Sequence, residues 1–509
     1  MESVSRRDVS RRAVLRGAGG AAALLAGGAV ASAGAGSAVA APAWSTLQQR
    51  MSGQVLVQGA TGYTAVAHGY NPRFDTVWPS AVARCVSTAD VSAAVAFARS
   101  NALPFTIRSG GHALTGWSTG TGLVIDTTLI SAMTVDPATA TATVGAGARL
   151  IDVYQKVASA GLALPGGTCG SVGIAGLALG GGIGALTRPW GLTCDQLTGA
   201  TIVFADASVK QVSASHWPGL FWALRGGGGG SFGVVTSLTF RLRPAPTFQV
   251  WSMPYDMSAA PAVVAGYQTF MATADSRLHG ELSFRATPST GKTSLTVTGT
   301  WIGSAAALTA QLDALVAAIG VRPNARTVSS QGYLAAMLQE AECSSYASCH
   351  LPPQGTIPRV PSAGASTMVY APLSPAAVTT LVDRVRAGLA VPKATWTGCT
   401  VVALGGAVRS TTTADSAFGH RDARLMLHYL ARWSPSTPTL DPTPFDGYVR
   451  GFRAAMAPFC GTGAYVNYLD ISIADHGAAY WPGTYARLRT VKATVDPGNL
   501  FRFPQSVRP

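Results

Sequence analysis

The chain has 509 residues, enough for two or more domains with substantial cores. Charged residues make up only 12% of it, beside 58 glycines and 30 prolines, a composition that suits a compact globular protein and excludes a disordered one. The formal net charge is +14, yet no run of lysine and arginine interleaves with aromatics, so the excess reads as a solvated basic surface and excludes a nucleic-acid groove.

The N-terminus reads as an address. Arg6-Arg7 and Ser10-Arg-Arg12-Ala-Val-Leu-Arg16 precede a Gly/Ala-rich stretch from Ala18 to about Ala35, and Ala38-Val39-Ala40 offers small residues to a signal peptidase. Twin arginines before a weakly hydrophobic stretch resemble a bacterial Tat signal. Residues 1–40 are therefore expected to be removed and the mature chain secreted, with cleavage after Ala41 as the alternative. The stretch is too weakly apolar for a spanning helix, and no other long uncharged apolar run follows. No stable membrane partner is expected, only transient contact with the export machinery.

Past this segment, Arg84-Cys-Val86 predicts a short strand and Ser87 caps a helix running to about Ser100. Leu103–Ile107 predicts a strand, as do Leu123–Asp126 and Thr141–Val144. Leu150–Ala160 predicts a helix with Leu150, Val153, Tyr154 and Val157 on one face. Gly199–Phe204 and Val209–Val212 read as a hairpin across Ala205–Ser208, and Val234–Leu242 as a strand. Pro244-Ala-Pro246 marks a boundary. Beyond it lie strand-like runs at Phe248–Met253, Gly280–Arg285 and Ser294–Trp301, then a helix at Ala305–Ile319. Thr367–Ala371 and Gly398–Leu404 predict strands on either side of a helix at Ala376–Ala387. Strands mixed with helices and hairpins predict an α+β fold, with an antiparallel sheet under helices in the second part. No internal repeat is visible.

Two nucleophiles stand in glycine-rich turns. His112 closes Arg108-Ser-Gly-Gly-His112, and Cys169 sits in Gly166-Gly-Thr-Cys-Gly170. Glycine permits positive φ and close approach to a bulky planar ligand, and freed backbone N–H groups can hold phosphate oxygens. The run Ser171-Val-Gly-Ile-Ala-Gly176-Leu-Ala-Leu-Gly180-Gly-Gly182-Ile-Gly184 follows at once. It lacks the dinucleotide-fold context, because no acidic residue suited to a ribose follows a strand about twenty residues on. One His, one Cys and a backbone-lined groove point to a large phosphorylated cofactor held at two places.

These residues resemble the berberine-bridge-enzyme-like flavin oxidases of the vanillyl-alcohol-oxidase superfamily. The resemblance continues through Gly184-Ala-Leu-Thr-Arg-Pro-Trp-Gly-Leu-Thr-Cys-Asp195, Leu220-Phe-Trp-Ala-Leu-Arg-Gly226 with the glycines to Gly230, Tyr465-Val-Asn-Tyr468-Leu-Asp470 and Asp496-Pro-Gly-Asn-Leu-Phe501. It is dense over roughly residues 70–246 and thinner over 400–509. It implies a PCMH-type FAD-binding domain of two α+β subdomains, with an inserted substrate domain of antiparallel sheet covered by helices. The expected division is 41–246 for the flavin domain with its core at about 78–246, 247–447 for the insert, and 448–509 returning to the flavin domain. It also implies FAD bonded covalently, through its 8α-methyl to His112 and through C6 to Cys169. Arg108, Ser109, Gly110, Gly111 and Gly116 would line the cofactor from the first turn. Gly166, Gly167, Thr168, Gly170, Ser171 and Gly173 would line it from the second. Gly176, Gly181 and Gly182, then Gly233, Val234 and Val235, then Tyr465 and Asn467 complete the expected contacts. A Tat route suits this picture, since it moves folded proteins with a cofactor already in place.

Oxidising an alcohol needs a base for the hydroxyl proton. In alcohol-oxidising relatives the last Tyr of the Tyr465–Tyr468 segment has that role, which falls on Tyr468. Read as a strand, the segment puts Tyr465 and Asn467 on one face and Tyr468 on the other. A phenol has a reference pKa of about 10, so a positive charge or a donor is expected nearby to lower it. In the alkaloid-cyclising plant members a Glu base follows a Gly-Gly segment. The matching stretch here, Gly405-Gly-Ala-Val-Arg409-Ser410, holds no carboxylate, which favours hydroxyl oxidation. His420, in Ala417-Phe-Gly-His420-Arg421, matches a structural element of the family. Val172, three residues after the Cys, marks oxidases in relatives where Leu marks dehydrogenases, so O2 is the expected acceptor and hydrogen peroxide the product.

Cysteine usage fits export. With Cys169 taken by flavin, six of seven remain: Cys85, Cys194, Cys343, Cys349, Cys399 and Cys460. Cys343 and Cys349 form the favoured pair, because a five-residue loop closes between them, among fifteen pairings that the sequence allows. Cys349-His350 has no second ligand cluster at metal spacing, so no metal is expected. A monomer is expected. Trp396, Tyr370, Trp301 and Tyr346 are candidate aromatic walls for a substrate. Bacterial secreted relatives oxidise sugar hydroxyls on free oligosaccharides or on glycosylated metabolites, and both stay open. So do a dehydrogenase using another acceptor and a flavin-loaded binding protein without turnover.

Overall fold

This computed structural model describes residues 43–509. The signal peptide read at 1–40 lies outside them. The first sheet has four strands, in the order Gln54–Val57, Ala81–Arg84, Leu123–Asp126, Phe105–Arg108. Two of its three strand pairs run parallel, and Gln54–Val57 is antiparallel to Ala81–Arg84. Helix Thr88–Ser100 crosses between Ala81–Arg84 and Phe105–Arg108 and buries Val91, Ala94, Val95 and Phe97 against the sheet. Ser87 caps it by accepting from the Asp90 N–H. The Asp90 carboxylate in turn accepts from the N–H groups of Ser52, Gly53 and Val86, which anchors the chain leading into this layer. The strand expected at Arg84–Val86 is shifted to Ala81–Arg84, because the Asp90 carboxylate takes the Val86 N–H that a ladder would need.

The second sheet has five antiparallel strands, in the order Met133–Asp136, Thr141–Gly145, Val234–Arg241, Leu197–Val203, Val209–Ser213. The hairpin read between Gly199 and Val212 is present. Helix Leu150–Ala158 buries Leu150, Val153, Tyr154 and Val157, as its periodicity predicts. These side chains join a core with Ile174, Ala178, Phe221, Trp222 and Trp481.

A seven-stranded antiparallel sheet follows, in the order Thr327–Gly332, Thr247–Tyr255, Lys292–Ile302, Leu278–Thr287, Ala394–Ala403, Leu425–Trp433, Ser362–Val369. Helices Ala260–Thr273, Ala305–Ile319, Pro375–Ala387 and Thr443–Cys460 share one apolar core with one of its faces. Alternation then assigns the other face. Leu282, Phe284, Val297, Val401, Leu427 and Tyr429 enter the core, so Glu281, Ser283, Thr296, Thr298, Thr400 and His428 lie on the opposite side. The fold is α+β throughout.

Four expectations change. The return to the flavin side, read at Tyr448, begins later. Tyr448 lies inside helix Thr443–Cys460, whose Phe445, Val449, Phe452 and Met456 belong to the core of the seven-stranded sheet, and after this helix the chain returns to the core under the five-stranded sheet at Ala464. The strand read at Thr367–Ala371 is Ser362–Val369. Trp301 is no pocket wall: it is 1% exposed, its indole N–H donates to the Ser304 carbonyl, and the Arg277 guanidinium covers its face. Trp396 is clasped between the guanidinium groups of Arg285 and Arg432. The disulfide Cys343–Cys349 is formed, while Cys85, Cys194, Cys399 and Cys460 are free and buried.

Candidate active site

Strand Phe105–Arg108 delivers the first turn. Gly111 has φ of +74°, a conformation glycine adopts without strain, and it turns the chain toward His112. The second turn meets the first backbone to backbone, since a Cβ on Gly110 would lie 2.2 Å from the Gly173 nitrogen. Arg149 ties the two together. Its guanidinium donates to the Gly110 carbonyl at 2.5 Å and to the Ser171 carbonyl at 3.0 Å.

The result brings both nucleophiles to one hydroxyl. Ser171 Oγ lies 3.1 Å from His112 Nε2 and 3.5 Å from Cys169 Sγ. Burial pushes the His112 imidazole down to about 3, and the charge of Arg149 acts in the same direction. His112 is therefore neutral at pH 7. Tyr70 stacks on it with ring centroids 3.7 Å apart and 14° between planes.

The other expected contacts divide. Ser109 Oγ donates to the Ala146 carbonyl, and Gly116, at φ +75°, packs against the Phe74 ring. Gly166 and Gly167 lie on Tyr154, whose hydroxyl donates to the Gly167 carbonyl at 2.6 Å, and Thr168 and Cys169 beside them are partly buried. Gly170 touches the disulfide, because a Cβ there would lie 2.7 Å from Cys349 Sγ. Val172 is partly buried against the first core, its N–H donating to the Cys169 carbonyl. Gly176 lies on helix Ile174–Gly180 with open space where a Cβ would be. Gly182 donates its N–H to the Tyr465 hydroxyl at 2.7 Å, beside Gly181.

The Arg108 guanidinium is committed to Asp126 at 3.1 Å and to the carbonyls of Val66 and Ala67, which leaves only its backbone for a ligand. Gly233, Val234 and Val235 lead into strand Val234–Arg241, with the two valine side chains in separate hydrophobic cores.

The Tyr465–Tyr468 segment is a turn and not a strand, since the Tyr468 N–H donates to the Tyr465 carbonyl at 2.9 Å. Asn467 Nδ2 donates to the Leu177 carbonyl at 2.9 Å and to the Tyr465 hydroxyl at 2.8 Å, which fixes the turn on the glycine-rich run. Face alternation therefore does not apply. Tyr468 instead stacks on His428 of the seven-stranded sheet, with centroids 3.8 Å apart. Among the described residues, no positive charge lowers its phenol. Burial raises it, and Glu281 and then Cys169 push the same way.

Comparison with known proteins agrees with this geometry. A family model described as FAD binding domain matches residues 79–213, and one described as berberine and berberine like matches residues 464–508. The uncharacterized FAD-linked oxidoreductase YgaK of Bacillus subtilis is 32% identical over 466 residues, spanning 90% of this chain and 98% of its own. The chain belongs to the berberine-bridge-like FAD-linked oxidoreductases. Chitooligosaccharide oxidase of Gibberella zeae is 30% identical over 89% of this chain and 92% of its own. A solved structure of chitooligosaccharide oxidase superposes with a TM-score of 0.81 at 27% identity, covering 91% of this chain and 99% of its own.

The residues of this FAD-linked oxidoreductase fit the cofactor. A neutral imidazole and a thiol share one hydroxyl, backbone faces of glycine meet behind them, and Gly176 leaves space open. The residues around the site that sequence reasoning did not single out are Tyr70, Arg149, His279, Glu281, Glu340 and His428. Alternation along Leu278–Thr287 was the available signal for Glu281, because an acidic residue among inward-facing neighbours marks the opposite face.

Proposed function

We propose that this chain is a secreted oxidase that removes hydride from an alcohol carbon, a sugar hydroxyl on an oligosaccharide or a glycosylated metabolite, onto FAD bonded at His112 and Cys169. The observation that carries this is Ser171 Oγ, within 3.1 Å of His112 Nε2 and 3.5 Å of Cys169 Sγ. That spacing suits two nucleophiles reaching one aromatic ring, one at the methyl on C8 and the other at C6, two ring positions away. When bound, FAD accepts the hydride and passes two electrons to O2, giving hydrogen peroxide. Tyr468 takes the hydroxyl proton, held in place by its stack on His428. Val172, small and next to the Cys169 turn, leaves room for O2. The hydroxyl-bearing face of the seven-stranded sheet, with Ser283, Thr296, Thr298 and Thr400, offers hydrogen-bond partners to a polyol. The names chitooligosaccharide oxidase and glucooligosaccharide oxidase among the relatives support a sugar. Export rests on Arg11-Arg12 and Ala38-Val39-Ala40.

The test has two parts. Protein precipitated in acid should stay yellow, and His112→Ala with Cys169→Ala should release the flavin. A panel of chitooligosaccharides, gluco-oligosaccharides and glycosylated metabolites should then produce peroxide with at least one member. Flavin lost from the wild type on denaturation, or silence across the panel, overturns the corresponding half.

A further inference from the structure

Glu281 stands on the polar face of the seven-stranded sheet. Leu278, Leu282, Phe284 and Ala286 enter the apolar core from strand Leu278–Thr287, so His279, Glu281, Ser283 and Arg285 occupy the other side. Backbone pairing sets Glu281 beside Val402, and Val402 beside Met426. Val402 and Met426 share an apolar cluster with Tyr465, against which Tyr468 packs. His428, two residues beyond Met426 on the same face, carries the Tyr468 ring. Glu281 thus borders the space that Tyr468 occupies. Its side chain keeps 19% of its surface open, and His279 Nε2 holds one carboxylate oxygen at 3.2 Å.

We propose that Glu281 is the proton acceptor behind Tyr468. This rests on the alcohol-oxidising reading. A buried phenol that stays protonated accepts a proton only by passing its own on, and a carboxylate is a residue type able to receive it near neutral pH. The substrate O–H bond breaks and its proton moves to the Tyr468 oxygen, while the phenol proton moves to the Glu281 carboxylate, directly or across one water. The O–H electron pair becomes the second bond of the carbonyl, and the carbinol C–H pair leaves as hydride to FAD. The sheet supplies this carboxylate one strand away from the Gly405-Gly406 turn, where the alkaloid-cyclising relatives carry theirs.

The surroundings of Glu281 are defined. His279 faces it from its own strand, and Glu340 from helix Tyr333–Glu340, where burial and then Glu281 hold the Glu340 carboxyl up to about 7. Tyr267 approaches from helix Ala260–Thr273, its hydroxyl donating to the Gly280 carbonyl, and Arg188 donates to the Leu278 carbonyl. Arg285, further along the face, pairs with Glu342. Val402 and Thr298, its partners on the adjacent strands, do not titrate.

The experiment follows anaerobic flavin reduction across pH in the full flavin-loaded enzyme, with a chitooligosaccharide or gluco-oligosaccharide that reduces the wild type. The wild-type rate should rise with pH along an acid limb. Glu281→Gln should slow reduction by roughly 10²-fold or more and flatten that limb, a typical loss for an acid–base group. Glu281→Asp should restore the limb, and Tyr468→Phe should slow reduction while altering its pH dependence. A second readout needs no turnover: calorimetric binding of the oxidised sugar product, in two buffers of different ionisation heat, should show a proton linkage that Glu281→Gln abolishes. A Glu281→Gln enzyme with normal flavin content that keeps both limb and linkage overturns the proposal. A wild type reduced by no alcohol removes the alcohol-oxidising reading, and this inference with it.

Discussion

Tyr468 lies flat against His428, with ring centroids 3.8 Å apart and planes 10° from parallel. Burial, with the charge of Arg432 second, holds His428 down to about 3, so the stack joins two neutral rings at pH 7. His428 therefore positions Tyr468 without supplying the positive charge that would make a stable phenolate. The proposed base role of Tyr468 therefore requires it to work from its protonated form, in concert with an acceptor.

Tyr468→Phe keeps the stack and removes the acid–base group. Flavin content and visible spectrum should stay close to wild type, while anaerobic reduction by a reactive sugar should slow roughly 10²–10⁴-fold. Reoxidation by O2 should hardly change. Stopped-flow mixing with substrate and then with oxygen separates the two halves, and an unslowed reductive half takes the base role from Tyr468.

Val172→Leu should act on the other half. The added methylene narrows the space by the Cys169 turn, where the Val172 N–H donates to the Cys169 carbonyl. Reoxidation by O2 should slow while flavin reduction stays within about a factor of two, since uniform changes at a site edge leave the chemical step alone. Unchanged oxygen reactivity would leave Val172 as packing.

How much of this was legible in the sequence depended on locality. His112 and Cys169 could be found because each stands in its own glycine turn, and the chemistry of the pair needs no knowledge of the fold. The Tyr465–Tyr468 turn could not. Its residues alternate like a strand, but the conformation is set by Asn467 reaching the Leu177 carbonyl, a contact 290 residues away in the chain. Glu281 was hidden for a related reason. A lone acid on an alternating strand looks solvent-facing until a second layer is known to cover that face. Helix Thr443–Cys460 was masked by its prolines, since Pro444 sits in its first turn, where no N–H is needed, and Pro458 near its end. The Asp496-Pro-Gly-Asn-Leu-Phe501 motif was visible, but its physical purpose was not.

That purpose is a buried charge pair. Lys492 and Asp496 are both 0% exposed and lie 2.5 Å apart. Lys492 Nζ also donates to the Ser231 and Phe501 carbonyls, and Asp496 accepts from the Leu500 and Phe501 N–H groups. Asp496→Asn leaves the ammonium buried without its counter-charge and should cost about 3–5 kcal/mol in urea unfolding. A loss below 1 kcal/mol would mean that water reaches Lys492.

Acid should destabilise the folded chain, with a slope that can be assigned. Burial holds His420 down to about 4 and His428 to about 3, from an ordinary value of 6.5. As pH falls below 6.5 the unfolded chain binds these protons and the folded chain does not, so stability is lost until pH reaches the folded values. Each histidine contributes about 1.4 kcal/mol per pH unit in that window. Glu340 acts with the opposite sign. Its carboxyl, raised from 4.5 to about 7, takes up a proton in the folded state first and adds stability as pH falls between those values. His112, likewise held down to about 3, adds to the same window, so between pH 6.5 and 4.5 the balance of these four groups is a net loss of roughly 2.8 kcal/mol per unit. His420→Gln should remove one histidine and roughly halve the slope in this window, whatever it does to the absolute stability. Glu340→Gln should steepen it by roughly half. Unfolding free energies measured at half-unit pH steps give the three slopes, and a His420→Gln slope equal to wild type would show that His420 already carries its proton in the folded state.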